Sequence, residues 1–437
     1  MCCGLRISGK HLTVGVCFIT ICIFSVVTLS ILNLFELGDI VSALWIGGIS
    51  LYIIVSTANM NASKNARIFV YLGFLIRLAV AVIVEFKIGS IGEALSFADQ
   101  ATFWNTANSY YMGDYTFRAT NYPFLIKNMF YVIGISEMAV VMTNILIWYL
   151  GFYVLLKAGG IIRGKKKLAF WALYAFLPWQ TIINAGIYRE TIICFSLMLS
   201  YYFLWRWMNE KKGIKYMLYS AFAAVPAFWL HAGNIAMYGV MLIVYSMWSQ
   251  KSGKWNKIGL RTSLLIAAII LILPIYNYVL SPLFEGYFPS SFSLEAFFNR
   301  PFVVSGRTDY MPSGVYVSNI SGFLFWGIYR MIYYWISPSP RFWSSVIDPA
   351  FFVLDVLPML ACIFWLSRYA RKSFDKRIYA VLIAFALFTF IFAWGTANAF
   401  TAMRHRDTLV GMFAVAGLLA LNNDKTDSYV SKMQTTR

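Results

Sequence analysis

Asp99 lies in the run Phe97-Ala98-Asp99-Gln100-Ala101-Thr102-Phe103-Trp104-Asn105-Thr106-Ala107. Asp99, Phe103 and Ala107 recur every four residues, so they share one face of a short helix. A carboxylate at a helix start is favoured by the helix dipole, which makes an N-cap one reading. The other is a general base that takes the proton of an acceptor hydroxyl, a common use of carboxylates in sugar chemistry. Arg189-Glu190, in Asn184-Ala185-Gly186-Ile187-Tyr188-Arg189-Glu190, falls at a tight turn between two apolar runs. The pair could cap the second helix, or the guanidinium could clamp a phosphate with its planar fork. Arg404-His405-Arg406 precedes the last apolar run and follows Gly395-Thr396-Ala397-Asn398. It reads either as a snorkelling helix flank or as a basic pair that holds a diphosphate. Arg77 and Arg330 sit in the middle of apolar stretches, where each must pair or face water. Arg77 is expected in a structural ion pair, and Arg330 in contact with a headgroup or substrate phosphate. His231 ends an apolar run and suits a cap or a catalytic role equally. Asp114 and Arg118 complete the candidates.

A membrane protein is what can hold these residues. Of 437 residues, 60% are hydrophobic and 12% charged, with a mean hydropathy of +0.67. Ordinary soluble domains are about one quarter charged. The composition excludes a soluble enzyme, a disordered chain and a nucleic-acid-binding domain. A span needs roughly 20 apolar residues, and twelve apolar runs are candidates. They lie near 12–35, 40–56, 68–86, 137–157, 168–188, 190–208, 215–232, 234–248, 260–281, 349–367, 377–397 and 407–422. Residues 12–35 read as a retained span, being too long for a signal-peptide core. The six cysteines show no metal-ligand spacing, and neither a P-loop, a Gly-rich dinucleotide turn nor an HExxH motif is present.

The net charge of +18 belongs to cytoplasmic loops facing anionic lipid. The basic clusters around Arg163–Lys167, Arg206–Lys215, Lys251–Arg261 and Arg368–Arg377 all fall inside, together with both termini. A crossing at 319–337 would put the last of these outside. That stretch, broken by Pro338 and Pro340, is therefore expected to lie along the outer surface or re-enter. The stretch 123–135, which begins at Pro123, is expected to do the same. The fold expected is a single all-α transmembrane domain over 1–437, with about twelve spans and two outer-surface or re-entrant helices. A first large outer loop over 87–136 carries Asp99. A second over 282–348 carries the surface helix. Asp99, Asp114, Arg118, Arg189, Glu190, His231, Arg330, Arg404, His405 and Arg406 all gather on the outer side.

This arrangement resembles the GT-C superfamily of membrane glycosyltransferases. The likeness runs from the span at 68–86 through Asp99, Phe103 and Ala107, the helix start Asn121-Tyr122-Pro123-Phe124-Leu125, and Leu177-Pro178 to Tyr188-Arg189-Glu190. Asn398 with Arg404-His405-Arg406 looks like the basic motif near the C-terminus of bacterial polysaccharide glycosyltransferases and polymerases. The resemblance implies transfer of a sugar from a polyprenyl-phosphate donor to a saccharide or glycolipid acceptor, outside a bacterial inner membrane. It implies Asp99 as base, a divalent cation as a possible cofactor at the outer loop with Asp114 as a second carboxylate, and no nucleic-acid partner. Two extra spans precede the Asp99 loop, which raises a second expectation: a Wzy-type polymerase of O-antigen or exopolysaccharide repeat units that works through outer-face arginines. A third is a lipid-linked-sugar flippase or another transporter. The in-span prolines Pro178, Pro226, Pro274 and Pro358 do not pair across two halves, as inverted repeats would require.

Overall fold

A computed structural model describes residues 37–88, 98–115, 121–162, 164–209, 215–231, 233–246, 317, 319–373, 376–396 and 398–435. Among these residues there is helix and no strand. Four of the described helices are long and apolar enough to cross a membrane: Gly38–Ala58, Lys64–Glu85, Glu137–Gly159 and Ile347–Lys372. The spans expected at 12–35 and 260–281, and most of the loop 282–318, lie outside the described residues. The chain divides into two compact units. One is Met1–Phe176 with Gln180–Ile192; the other is Leu177–Trp179 with Ile193–Arg437.

In the first unit, α1 (Leu37–Ala58) and α5 (Glu137–Gly159) run parallel. Polar contacts hold their register: Trp45 Nε1 donates to Thr143 Oγ1 at 2.9 Å, and Ser56 Oγ meets Tyr149 OH at 2.7 Å. α2 (Lys64–Glu85) starts at Ser63, whose side chain accepts from the Ala66 N–H. It packs against α5 and α6 (Lys165–Phe176). Trp148, Phe152, Trp171 and Tyr174 close that interface, with Phe152 and Trp171 ring centres 4.7 Å apart. Bilayer lipid is as apolar as leucine, so packing and interhelical hydrogen bonds must supply this cohesion. α3 (Ala98–Tyr111) and α4 (Tyr122–Ile133) form a short pair. Pro123 stands in the first turn of α4, where a missing N–H costs nothing. Gly134 ends it at φ +77°, and a Cβ there would meet the Gly38 carbonyl oxygen at 2.6 Å.

The run 168–188 is not one continuous helix but two, α6 and α7 (Pro178–Asn184), with a break at Leu177. Pro178 has no N–H for the α6 ladder and disfavours helical backbone at Leu177.

The second unit contains most of α8 (Glu190–Asn209), then α9 (Lys215–Leu230) and α10 (Gly233–Ser246). Next come α11 (Ile320–Ile336), α12 (Ile347–Phe351) and a π-helical turn, Phe352–Val356, that leads into α13 (Leu357–Ser373). α14 (Lys376–Gly395) and α15 (Ala399–Thr435) complete it. α11 ends just before Ser337-Pro338, and α4 covers most of 123–135, so both stretches expected as short helices are helical. α14 lies between α10 and α11, with Phe323 and Trp394 ring centres 4.4 Å apart. Ser200 and Ser220 bond across α8 and α9 at 2.9 Å. α15 begins earlier than the apolar run at 407–422 suggested. Asn398 Oδ1 accepts from the Thr401 N–H at 2.9 Å, so this cap places Arg404, His405 and Arg406 inside the helix rather than ahead of it.

Candidate functional site

Asp99 is exposed in the first turn of α3. Phe103 and Ala107, one and two turns on, are buried, so α3 presents the expected face with the carboxylate at its open end. The turn after α7 lies close by. All residues from Thr181 to Glu190 are buried, although the sequence suggested an outer turn between spans. Asn144 of α5 explains how this backbone tolerates burial. Its amide donates to the carbonyls of Gly186 at 2.8 Å and Tyr188 at 3.2 Å, and lies 3.3 Å from Tyr122 OH. Thr191 Oγ1 donates to Asn184 Oδ1 at 2.8 Å across the same turn. A Cβ on Gly186 would meet the Tyr188 ring at 2.6 Å and Gln100 Oε1 at 2.9 Å, so the turn presses directly on α3.

Arg189 leaves this turn with its guanidinium 5.9 Å from the Phe103 ring centre. Its Nε lies 3.5 Å from Glu190 Oε1, and the two residues are 5% and 1% exposed. Glu190 also opens α8, where a negative charge suits the helix dipole. Tyr122, at the start of α4, is buried against the same amide. Burial pushes its phenol far above the usual range, against the lowering effect of the Asn144 hydrogen bond. The first unit thus joins an exposed carboxylate, a buried Arg–Glu pair and a protonated phenol within one packed set of elements. Such a set can accept a proton at its rim and holds an ion pair fixed behind it.

The second unit collects Arg330, Arg404, His405, Arg406 and His231. Arg330 is fully buried on α11, and its Nε donates to the Ala393 carbonyl at 3.0 Å and its Nη2 to the Thr396 carbonyl. It caps the C-terminal end of α14. Arg406, 1% exposed on α15, does the same for α11. Its Nη1 donates to the carbonyls of Tyr334 at 3.1 Å, and Trp335 and Ser337 at 2.9 Å. Its Nη2 lies 3.5 Å from Asp355 Oδ2. Arg77 follows the same pattern in the first unit. It donates to the carbonyls of Gly73 at 3.1 Å and Ala175 at 2.7 Å, with its guanidinium 3.8 Å over the Trp148 ring. Orphan carbonyls end every helix, and in an apolar interior water cannot satisfy them.

The two histidines are half-exposed, with ring centres 5.4 Å apart and planes at 89°. His231 Nδ1 accepts from the Gly233 N–H at 3.2 Å, which is the capping role. His405 Nδ1 lies 3.3 Å from Thr396 Oγ1, whose own proton goes to the Phe392 carbonyl at 2.7 Å. At this contact the imidazole is therefore the donor. Arg404, also half-exposed, precedes His405 on α15.

Asp114 is exposed just beyond the far end of α3 from Asp99. The 14 residues of that helix span about 20 Å, so one cation cannot bridge the two carboxylates. Arg118 lies outside the described residues. Asp355, buried in the π-helical turn, accepts from the Trp179 N–H at 3.3 Å and pairs with Arg406. Sequence reasoning passed over both Asp355 and Asn144. Their signal was a carboxylate in the span at 349–367 and an amide in the span at 137–157, polar groups that a bilayer tolerates only with partners. No family model, no curated protein and no solved structure matches this chain.

Proposed function

We propose that the chain is a polytopic membrane glycosyltransferase of about twelve spans, with both termini in the cytoplasm of a bacterial inner membrane. Helices α4 and α11 lie on its outer face. It transfers a sugar from a polyprenyl-phosphate donor to a saccharide or glycolipid acceptor, building cell-surface polysaccharide or glycolipid. The observation that carries this reading is the exposed carboxylate of Asp99 on the helix whose Phe103 ring faces the buried Arg189–Glu190 pair. Asp99 takes the proton of the acceptor hydroxyl as that oxygen attacks the anomeric carbon. The bond from that carbon to the phosphate oxygen breaks, and the phosphate leaves with the electron pair. Arg189 stabilises it, an effect worth about 3 kcal/mol for a well-placed donor. Arg406, engaged by three carbonyls, positions the end of α11 rather than touching the substrate.

The test is the surface-glycan ladder of a deletion strain complemented with wild type or with Asp99→Asn. Removing a general base typically costs roughly 10²–10⁴-fold in rate. The expected ladder therefore lacks one sugar or side branch, and Asp99→Asn fails to restore it while accumulating normally in the membrane. Full restoration by Asp99→Asn overturns the assignment. The basic group of His231, Arg404 and His405 favours a second reading, the Wzy-type polymerase. On that reading the ladder collapses to a single repeat unit, Arg404 variants fail and Asp99→Asn survives.

A further inference from the structure

We propose that the pair α3–α4 straddles the membrane–water interface, and that Lys127 clamps the phosphate of a phospholipid headgroup there. The two helices are tied face to face by aromatic contacts. Trp104 and Phe130 ring centres stand 5.0 Å apart, and Tyr111 and Tyr131 5.1 Å. Their outward faces differ in chemistry. On α3 the exposed side chains include Thr102, Asn105 and Ser109, all polar. On α4 and the turn beyond, Phe124, Tyr131, Val132 and Ile135 are 42%, 64%, 68% and 46% exposed. Positions 124, 131 and 132 fall on one helix face, within about 100° of arc. With 12 residues, α4 is about 18 Å long and cannot cross a hydrocarbon core of about 30 Å. A helix too short to span, whose outer face carries Phe124, Tyr131 and Val132 around an exposed Asn128 and has a polar partner behind it, fits the interfacial layer, where tyrosine rings concentrate.

Lys127 sits on that outer side. Its Nζ donates to Tyr115 OH at 2.9 Å and lies 5.3 Å from the ring centres of both Tyr115 and Phe124. The rings hold the ammonium at a fixed place, while Tyr115 takes one of its three donors. The occupant that matches a cation framed by the rings of Tyr115, Phe124 and Tyr131, on a helix that also exposes Val132, is a phospholipid, with its phosphate on the ammonium and its chains on the apolar side chains. Asp99, on the polar helix of the pair, then stands at headgroup depth, where the phosphate of a lipid-linked donor also lies. The proposal rests on the membrane reading of the chain and not on glycosyl transfer, so loss of the Asp99 assignment would leave it intact.

The experiment uses the full chain in a cysteine-free background, reconstituted into phospholipid vesicles. A single fluorophore is placed at Ser109→Cys or at Val132→Cys. Quenchers are iodide in water and lipids that carry a spin label either near the headgroup or at the chain end. The expected result is several-fold stronger quenching of the Val132 probe by the headgroup-proximal label than by the chain-end label, with iodide reaching the Ser109 probe preferentially. Lys127→Glu reduces lipid quenching at position 132, and Lys127→Arg keeps it. Equal access of iodide to both probes overturns the interfacial placement. So does dominant chain-end quenching, or protection of the Val132 probe from iodide by added saccharide, which would make the rings a sugar platform. Unchanged lipid quenching in Lys127→Glu overturns the clamp.

Discussion

Arg77, Arg330 and Arg406 show what a guanidinium does inside an apolar protein. Each reaches the carbonyls at the end of a different helix, where a cation also complements the helix dipole. Arg406 adds Asp355, and this pairing makes an unusual prediction. Asp355→Asn leaves a buried guanidinium without its counter-charge, a change that typically costs about 3–5 kcal/mol. Thermal unfolding in detergent should shift down accordingly. For an isolated buried pair, replacing both partners by apolar residues of similar volume often restores stability. Here the double variant Asp355→Leu, Arg406→Met should recover only the cost of the stranded carboxylate and stay below wild type, because three carbonyls at the end of α11 still lack their donor. Full recovery in the double variant would show that the carbonyl contacts contribute nothing. The sequence marked Arg77 and Arg330 as needing partners, and that need is met. The partners themselves were hidden, since backbone carbonyls carry no residue type to search for and, Gly73 apart, lie 63 to 98 positions away.

At the scale of elements, helix ends decide where the candidate residues fall. Asn398 starts α15 one turn ahead of Arg404, so Asn398→Ala should cost about 1 kcal/mol of stability, and Asn398→Asp should retain the cap. If Asn398→Ala unfolds at the wild-type temperature, the helix start is set by something else. Gly134→Ala offers a second check. The new Cβ would meet the Gly38 carbonyl oxygen at 2.6 Å in a backbone conformation that favours glycine, so the variant should lose about 1 kcal/mol or more. Apolar runs announced most of these helices, including the short α4 and α11, because hydrophobic continuity reports helices directly in a bilayer. The division of 168–188 at Leu177 was less legible. Pro178 was visible, but proline also occurs within an unbroken helix here, as Pro226 does in α9. Burial of the turn around Arg189 was not legible at all, since it depends on Asn144 from a helix 40 positions upstream.

For the whole molecule, composition alone already points to a membrane, and four of the described helices have the length and apolarity to cross one. The proposed orientation is testable by labelling single cysteines in intact cells. Asn105→Cys should react with an impermeant thiol reagent from outside, and Lys166→Cys only after permeabilisation. The reverse pattern would invert the topology and move Asp99 to the cytoplasm. Buried arginines also alter how the chain must be made. Arg77 emerges from the ribosome 98 residues before Ala175, whose carbonyl it needs. At roughly 5–20 residues per second, that carbonyl follows about 5–20 s later. Arg330 precedes its Ala393 and Thr396 partners by 63 and 66 residues, whereas Arg406 follows all three of its carbonyls. The first two cations therefore gain these capping carbonyls only late in synthesis, whereas the third enters to a place already prepared.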